Sequence, residues 1–338
     1  AVAAPTERAT SSYTVDRSMG PVLSFNTYND IFHFLGEPTY GNIEGEQGDW
    51  EFVITKLTED SIFVKGKKWE NEMVFTRMAD GVDWTSYLDS IADVQKRLGV
   101  NYSVGNSSDA SKMVEINSAT RRILSRTADG QMVEQPFYVT STGIHAVNEP
   151  VALGEDKAQD FLVSKAGVMT AKDNEDLTLN SYAPGIDTWV GEWTLSAMQG
   201  SCDMTISKVE DQENMLKGTF TAGGYTYNIG LSFNPETGAL NLPSQLIEDP
   251  SGRYPALWLM NADLNQGTLL GQGGMNVVWH GVSQEGDFED DGTLASEGYA
   301  SDSFVALPCT ADGEIIKENN QFVFVVEWYF LSNLTPNK

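Results

Sequence analysis

Tyr225-Thr226-Tyr227-Asn228-Ile229-Gly230-Leu231-Ser232-Phe233 alternates bulky apolar residues with small or polar ones over nine unbroken positions. Successive side chains of a β-strand point to opposite faces, so this rhythm predicts a strand with one face in a core. The segment that follows, Asn234-Pro235-Glu236-Thr237-Gly238, has the chemistry of a turn. Proline presets φ and glycine accepts a positive φ. Leu240 and Leu242 resume the alternation, and further strands are expected at Leu257 with Leu259, Met275 to Trp279 and Phe304 to Leu307. Upstream, Trp193, Met204 with Ile206, and Met215 to Phe220 carry the same pattern. The run Phe322 to Leu331 reads as a last strand, buried on most of both faces. A succession of up-and-down strands without an intervening helix predicts a C-terminal, lipocalin-like antiparallel barrel, preferred here to a sandwich.

The N-terminal half reads as α+β. Pro21 to Phe25, Trp50 to Ile54, Ile62 to Val64 and Met73 to Phe75 are short strand signals separated by polar turns, which favours a meander. Tyr87, Leu88, Ile91, Val94 and Leu98 recur at helical spacing. Asp83 or Thr85 suits the N-cap, Lys96 and Arg97 suit the C-terminal dipole, and Gly99 suits the stop. Residues 100 to 120, rich in Ser and Asn, read as a long loop. Strands are expected at Arg122 to Ser125 and Pro136 to Thr140, and a short helix near Asp156. At 338 residues the chain exceeds one ordinary core. The expected division is a 1–172 α+β domain, an acidic, Pro-Gly-ended linker at 173–185, and a 186–338 barrel.

Apolar residues make up 41% and charged residues 20%, enough to build a core. The net charge of −27 disfavours nucleic acid and anionic lipid surfaces as partners. No apolar run reaches the length of a membrane helix. The sequence starts at Ala1 with no charged and apolar leader, so any export signal is expected to have been removed or to lie outside this sequence. Cys202 and Cys309 are a disulfide candidate. Bonded, they would close a loop of about a hundred residues worth about 4–5 kcal/mol in the chain-entropy model. Unbonded, they would serve as small buried hydrophobes.

Reactive motifs are sparse. His33, His145 and His280 are widely spaced and lack the paired histidines of a zinc helix. No Gly-x-Ser-x-Gly elbow occurs. Acidic residues number 48, too many for spacing to single out a glycosidase pair. Asp287-Phe288-Glu289-Asp290-Asp291-Gly292 matches the first half of a calcium loop, with Asp287, Glu289 and Asp291 as ligands. The second half fails, because position 12 is Gly298 and Glu297 comes one residue early. A solvated acidic hairpin tip is the preferred reading, and no cofactor is expected. Capture of a sugar or peptide would use ring faces near turns. Trp69, Trp84, Tyr254 and Trp258 are the candidates, whereas Trp50, Trp193, Trp279 and Trp328 are expected in the core.

Several stretches carry a resemblance: Ser11-Ser12-Tyr13, Gly20 to Asn29, His33, Gly48-Asp49-Trp50-Glu51-Phe52-Val53-Ile54 and Lys65-Gly66-Lys67-Lys68. Pro136 to Thr140, Gly143-Ile144, Glu149-Pro150 and Asp160-Phe161 continue it. Together they resemble an uncharacterised family of Bacteroidetes surface lipoproteins. The resemblance implies an exported protein on the cell outer membrane, anchored through a lipidated cysteine. It also implies a SusC/SusD-like uptake complex as partner and glycan or peptide capture as the task. Some members of that family carry a zinc-metallopeptidase label that the histidine spacing here does not support. A non-catalytic surface binding or accessory protein is therefore expected. A glycan or peptide hydrolase and a structural subunit without its own ligand are the alternatives.

Overall fold

A computed structural model describes residues 6–18, 20–38 and 43–337. Among the described residues the fold is mostly antiparallel sheet with one α-helix, Trp84–Arg97. The chain forms two compact units, Ala1–Asp93 and Val94–Lys338. No helix among the described residues is long and apolar enough to cross a membrane.

The first unit is a five-stranded meander in chain order: Tyr13–Arg17, Pro21–Phe25, Glu51–Leu57, Ser61–Gly66 and Glu72–Thr76. Val22, Phe52 and Val64 are its fully buried apolar residues, and Phe52 meets Phe25 and Phe75 edge-on at 6.3 and 5.5 Å. Trp50, expected in the core, is 38% exposed. It lies one residue ahead of its strand, its ring tilted against His33 with centres 5.6 Å apart. The helix starts where the sequence places it. The Ser86 N–H and hydroxyl donate to the Asp83 carboxylate, and these bonds hold that carboxyl below its usual range.

The second unit contains two closed eight-stranded barrels, not one. The first runs Asn101–Val104, Met113–Asn117, Arg122–Arg126, Met132–Val139, Gly143–Ala146, Asp160–Val163, Met169–Ala171 and Asn174–Ser181. Ser181 pairs with Tyr102 and closes it. A small hairpin, Val151–Leu153 with Asp156–Ala158, is inserted before the sixth strand. Three expectations are corrected here. The 100–120 segment is two strands, the helix near Asp156 is strand, and the 173–185 linker is mainly the closing strand. Exposed Asn174, Glu175 and Asp176 give that strand a linker-like start, while Leu177 and Leu179 point into the barrel.

The second barrel runs Gly191–Ala197, Gly200–Lys208, Met215–Ala222, Tyr225–Phe233, Leu240–Pro243, Gly274–His280, Glu285–Asp290 and Asn333–Pro336. The chain leaves it twice. These excursions supply Gln245–Ile247, Ala256–Asp263, Thr268–Leu270, Ser303–Cys309 and Val326–Trp328, which form a separate five-stranded sheet. The expected continuous strand from Phe322 to Leu331 is broken. Phe322 and Phe324 are exposed, and only Val326–Trp328 joins the sheet.

The second barrel is packed through its middle. Trp189, Trp193 and Trp279 meet at 5.5, 5.5 and 6.2 Å between ring centres. The Trp189 indole donates to the Gly238 carbonyl at 2.9 Å, and the Trp193 indole to the Trp189 carbonyl at 2.8 Å. A side chain at Gly286 would come within 2.8 Å of the Trp189 ring, so that strand position must stay bare. The void between Leu195, Ile229, Leu242 and Phe288 measures about 10 Å³, too small for a ligand. Replacing Trp189 by Ala empties this centre. A loss of about 3–5 kcal/mol is expected, read as a lowered urea midpoint for the unit.

Candidate functional site

The two barrels of the second unit meet through the turn between Gly274–His280 and Glu285–Asp290. In the first barrel, Asn101 lies directly opposite Glu115 on adjacent strands, and opposite residues share a face. Tyr102, Val114 and Ile116 fill the interior, so Asn101, Ser103, Met113 and Glu115 face outward, yet all four are buried. The turn covers Asn101, Met113 and Glu115. Asn101 Oδ1 accepts from the Gly281 N–H at 2.9 Å, and its Nδ2 donates to the Trp279 carbonyl at 2.5 Å. Glu115 Oε1 accepts from the Val282 and Ser283 N–H groups at 2.5 and 3.0 Å. Arg126 Nε donates to the Val282 carbonyl at 2.8 Å, and Val282 itself is fully buried. A Cβ at Gly281 would stand 2.5 Å from Met113 Sδ, so a side chain there would have to displace that buried methionine.

His280 ends the strand at this seam. Its Nδ1 lies 3.3 Å from Glu115 Oε2, and its Nε2 lies 3.3 Å from Asp287 Oδ2. The first contact is a hydrogen bond. Nε2 is buried and has no aligned hydrogen bond, so the Asp287 contact is one of charge. The hydrogen bond to Glu115 raises the affinity of His280 for its proton. Burial opposes this, and the charges of Glu115, Asp287 and Glu285 add to it.

Two adjoining hollows flank the seam and share Val100 and Glu289. Their volumes are about 670 and 450 Å³. In the larger, the register lines up Ser232, Asn241, Asn276 and Glu289 across four neighbouring strands of the second barrel. Their neighbours Phe233, Leu240, Val277 and Phe288 turn inward. The polar row is therefore the outer half of the same alternation that builds the core. Asn241 Nδ2 donates to Asn276 Oδ1 at 3.2 Å and to Asp291 Oδ2 at 3.4 Å, which fixes both amides. Tyr182 and Asn234 complete the wall. The smaller hollow is lined by Glu134, Glu285, Asp287 and Arg122 around His280.

Residues 2–165 match the family model "Domain of unknown function (DUF4302)". No curated protein and no solved structure matches the chain. The DUF4302 match contains every motif quoted above for the lipoprotein resemblance. It also contains Asn101, Glu115 and Arg126, and it ends before Met169–Ala171 and Asn174–Ser181, the two strands that complete the first barrel.

Of the aromatic, calcium and disulfide candidates singled out from sequence, the acidic motif alone falls in these hollows. Trp84 is 54% exposed at the start of the helix. Trp69 is half-buried under the Lys68 ammonium, 4.4 Å from its ring centre. Tyr254 is half-buried and donates to Glu318 at 2.6 Å, with Arg253 over its ring. Trp258 is half-buried against Met260, Val305 and Leu307. The acidic motif lines the hollows, but not as a calcium loop. Asp287 and Glu289 lie on an extended strand, where alternate side chains stand about 6.8 Å apart. Asp287 faces the smaller hollow, Asp291 the larger, and Glu289 both. Among the described residues no three His, Cys, Asp or Glu side chains gather to hold a metal. His33 is buried in the first unit, and His145 pairs with Asp160 at 2.9 Å. Cys202 and Cys309 are both free, and burial pushes both thiols up.

Replacing Asn101 by Ala strands the Gly281 N–H and the Trp279 carbonyl inside the seam. The unit is expected to lose about 1–3 kcal/mol by chemical denaturation, without loss of strand content by circular dichroism.

Proposed function

We propose that this protein is a non-catalytic binding module that captures a glycan or peptide in the groove beside the inter-barrel seam. We further propose that it acts at the cell surface, as an accessory lipoprotein of a SusC/SusD-like uptake system. The observation that carries the binding reading is the ordered row Ser232, Asn241, Asn276 and Glu289 along a hollow of about 670 Å³. That volume suits a short oligomer, and side-chain amides both donate and accept, as hydroxyls and peptide groups require. Because Asn241 and Asn276 are already tied to each other, little side-chain freedom is lost on binding. The packed interior of the second barrel supports an external site over a lipocalin-style calyx. The surface setting rests on the lipoprotein resemblance.

The test is direct binding to glycan and peptide libraries, with product analysis after prolonged incubation. Ligand is expected to return unchanged. The paired substitution Asn241→Ala with Asn276→Ala is expected to weaken binding at least tenfold, the equivalent of about 1.4 kcal/mol, while leaving the melting temperature within a few degrees. Cleavage of the ligand, or binding indifferent to both substitutions, would overturn the reading.

A further inference from the structure

We propose that His280 is a proton-operated latch between the two barrels of the second unit, closed while the imidazole carries both its protons and loosened when it loses one. The argument rests on geometry and on the inventory of donors. Both ring nitrogens face carboxylate oxygens, Glu115 Oε2 and Asp287 Oδ2, each at 3.3 Å. A carboxylate only accepts, and a neutral imidazole has a single N–H. In the neutral ring one tautomer turns the Nδ1 lone pair on Glu115 Oε2, and the other keeps that hydrogen bond but leaves both carboxylates without a facing charge. Only the imidazolium both holds a donor on Nδ1 toward Glu115 and presents a positive charge to Asp287. Glu115 belongs to the first barrel, and His280 and Asp287 to the second, so the charged hydrogen bond from His280 to Glu115 is the contact that crosses the joint.

The surroundings push the same way. Glu285 and Glu289 lie on the strand paired with that of His280, and Glu134 faces the same hollow from the first barrel. Arg122 is the opposing cation in that hollow. Arg126 approaches the turn at the Val282 carbonyl. Glu115, with only 10% of its side chain exposed, also holds the Val282 and Ser283 amides, so its position depends on what His280 offers it. This latch stands on the seam alone and is independent of what the groove binds.

The sign follows from linkage. The closed seam raises the pKa of His280 above that of a solvated histidine. The latch is therefore fully engaged below about pH 6.5, the value for the open, solvated ring, and is lost as pH rises through the higher closed-state value. The readout is native-state hydrogen exchange at the Val282 and Ser283 amides, corrected for the intrinsic pH dependence of exchange. Protection is expected to fall by up to tenfold per pH unit between those two values, the limit for one linked proton. His280→Gln, which cannot titrate, is expected to flatten the profile. Asp287→Asn, which keeps the imidazole, is expected to narrow the pH window and covers the case in which the Gln variant does not fold. An NMR titration of the wild-type His280 ring is expected to give a pKa above 6.5. A ring titrating at or below that value, a flat wild-type profile, or an unchanged slope in His280→Gln would each overturn the latch.

Discussion

The second unit depends on a pair of polar residues placed where apolar ones would ordinarily sit. Asn101 and Glu115 face each other across two strands of the first barrel, buried on the outer surface of a wall whose inner surface is already apolar. Burying an amide and a carboxylate costs stability unless every lone pair and N–H is answered. The 279–283 backbone answers them with three amide N–H groups and one carbonyl. A tight turn exposes such groups in a fixed array, and only one placement of the turn satisfies all of them. The seam is thereby specific as well as stable. A purely apolar contact would have tolerated sliding, whereas unsatisfied hydrogen-bonding groups do not.

The same residues explain what the sequence conceals. The second barrel is legible because its alternation is clean: Tyr227, Ile229, Leu231 and Phe233 go inward, and Thr226, Asn228 and Ser232 go outward. Strands at 101–104 and 113–117 are not legible, because Asn101, Ser103 and Glu115 give them the composition of a loop. Those positions are polar because another barrel covers them with backbone groups, and the partner surface lies nearly 180 residues away in sequence. Single-sequence periodicity registers burial by side chains of one core, not burial by a distant turn. The strand at 174–181 is hidden for a simpler reason. Its first three residues are exposed and acidic or amide, so the pattern begins only at Leu177.

The groove residues are legible one by one and illegible as a group. Asn241 and Asn276 are unremarkable outward positions of two strands, and Glu289 sits in a motif whose spacing suggested calcium. The register aligns them in a row, and register depends on the turns and on the inner apolar set rather than on the outer residues themselves. The acidic triplet shows how a spacing changes meaning with backbone conformation. Ligands at alternate positions converge in a tight loop and spread along one face in a strand, so the same letters line a wall instead of caging an ion.

A barrel filled to its axis has only its outer surface left for recognition. Trp189, Trp193 and Trp279 close the centre, and the excursions of chain between its strands build a sheet instead of opening a mouth. A concave surface must then come from placing two convex ones side by side. Two barrels held at a fixed contact leave hollows along the line where they part, and polar outer faces line those hollows without any change to either core. The dimensions of such a groove depend on the contact. The imidazole of His280, between carboxylates of the two walls, lies at that contact and lines the smaller hollow. In this architecture the hinge of the joint and the wall of the hollow are the same strand, Gly274–His280, with Asn276 in one and His280 in the other.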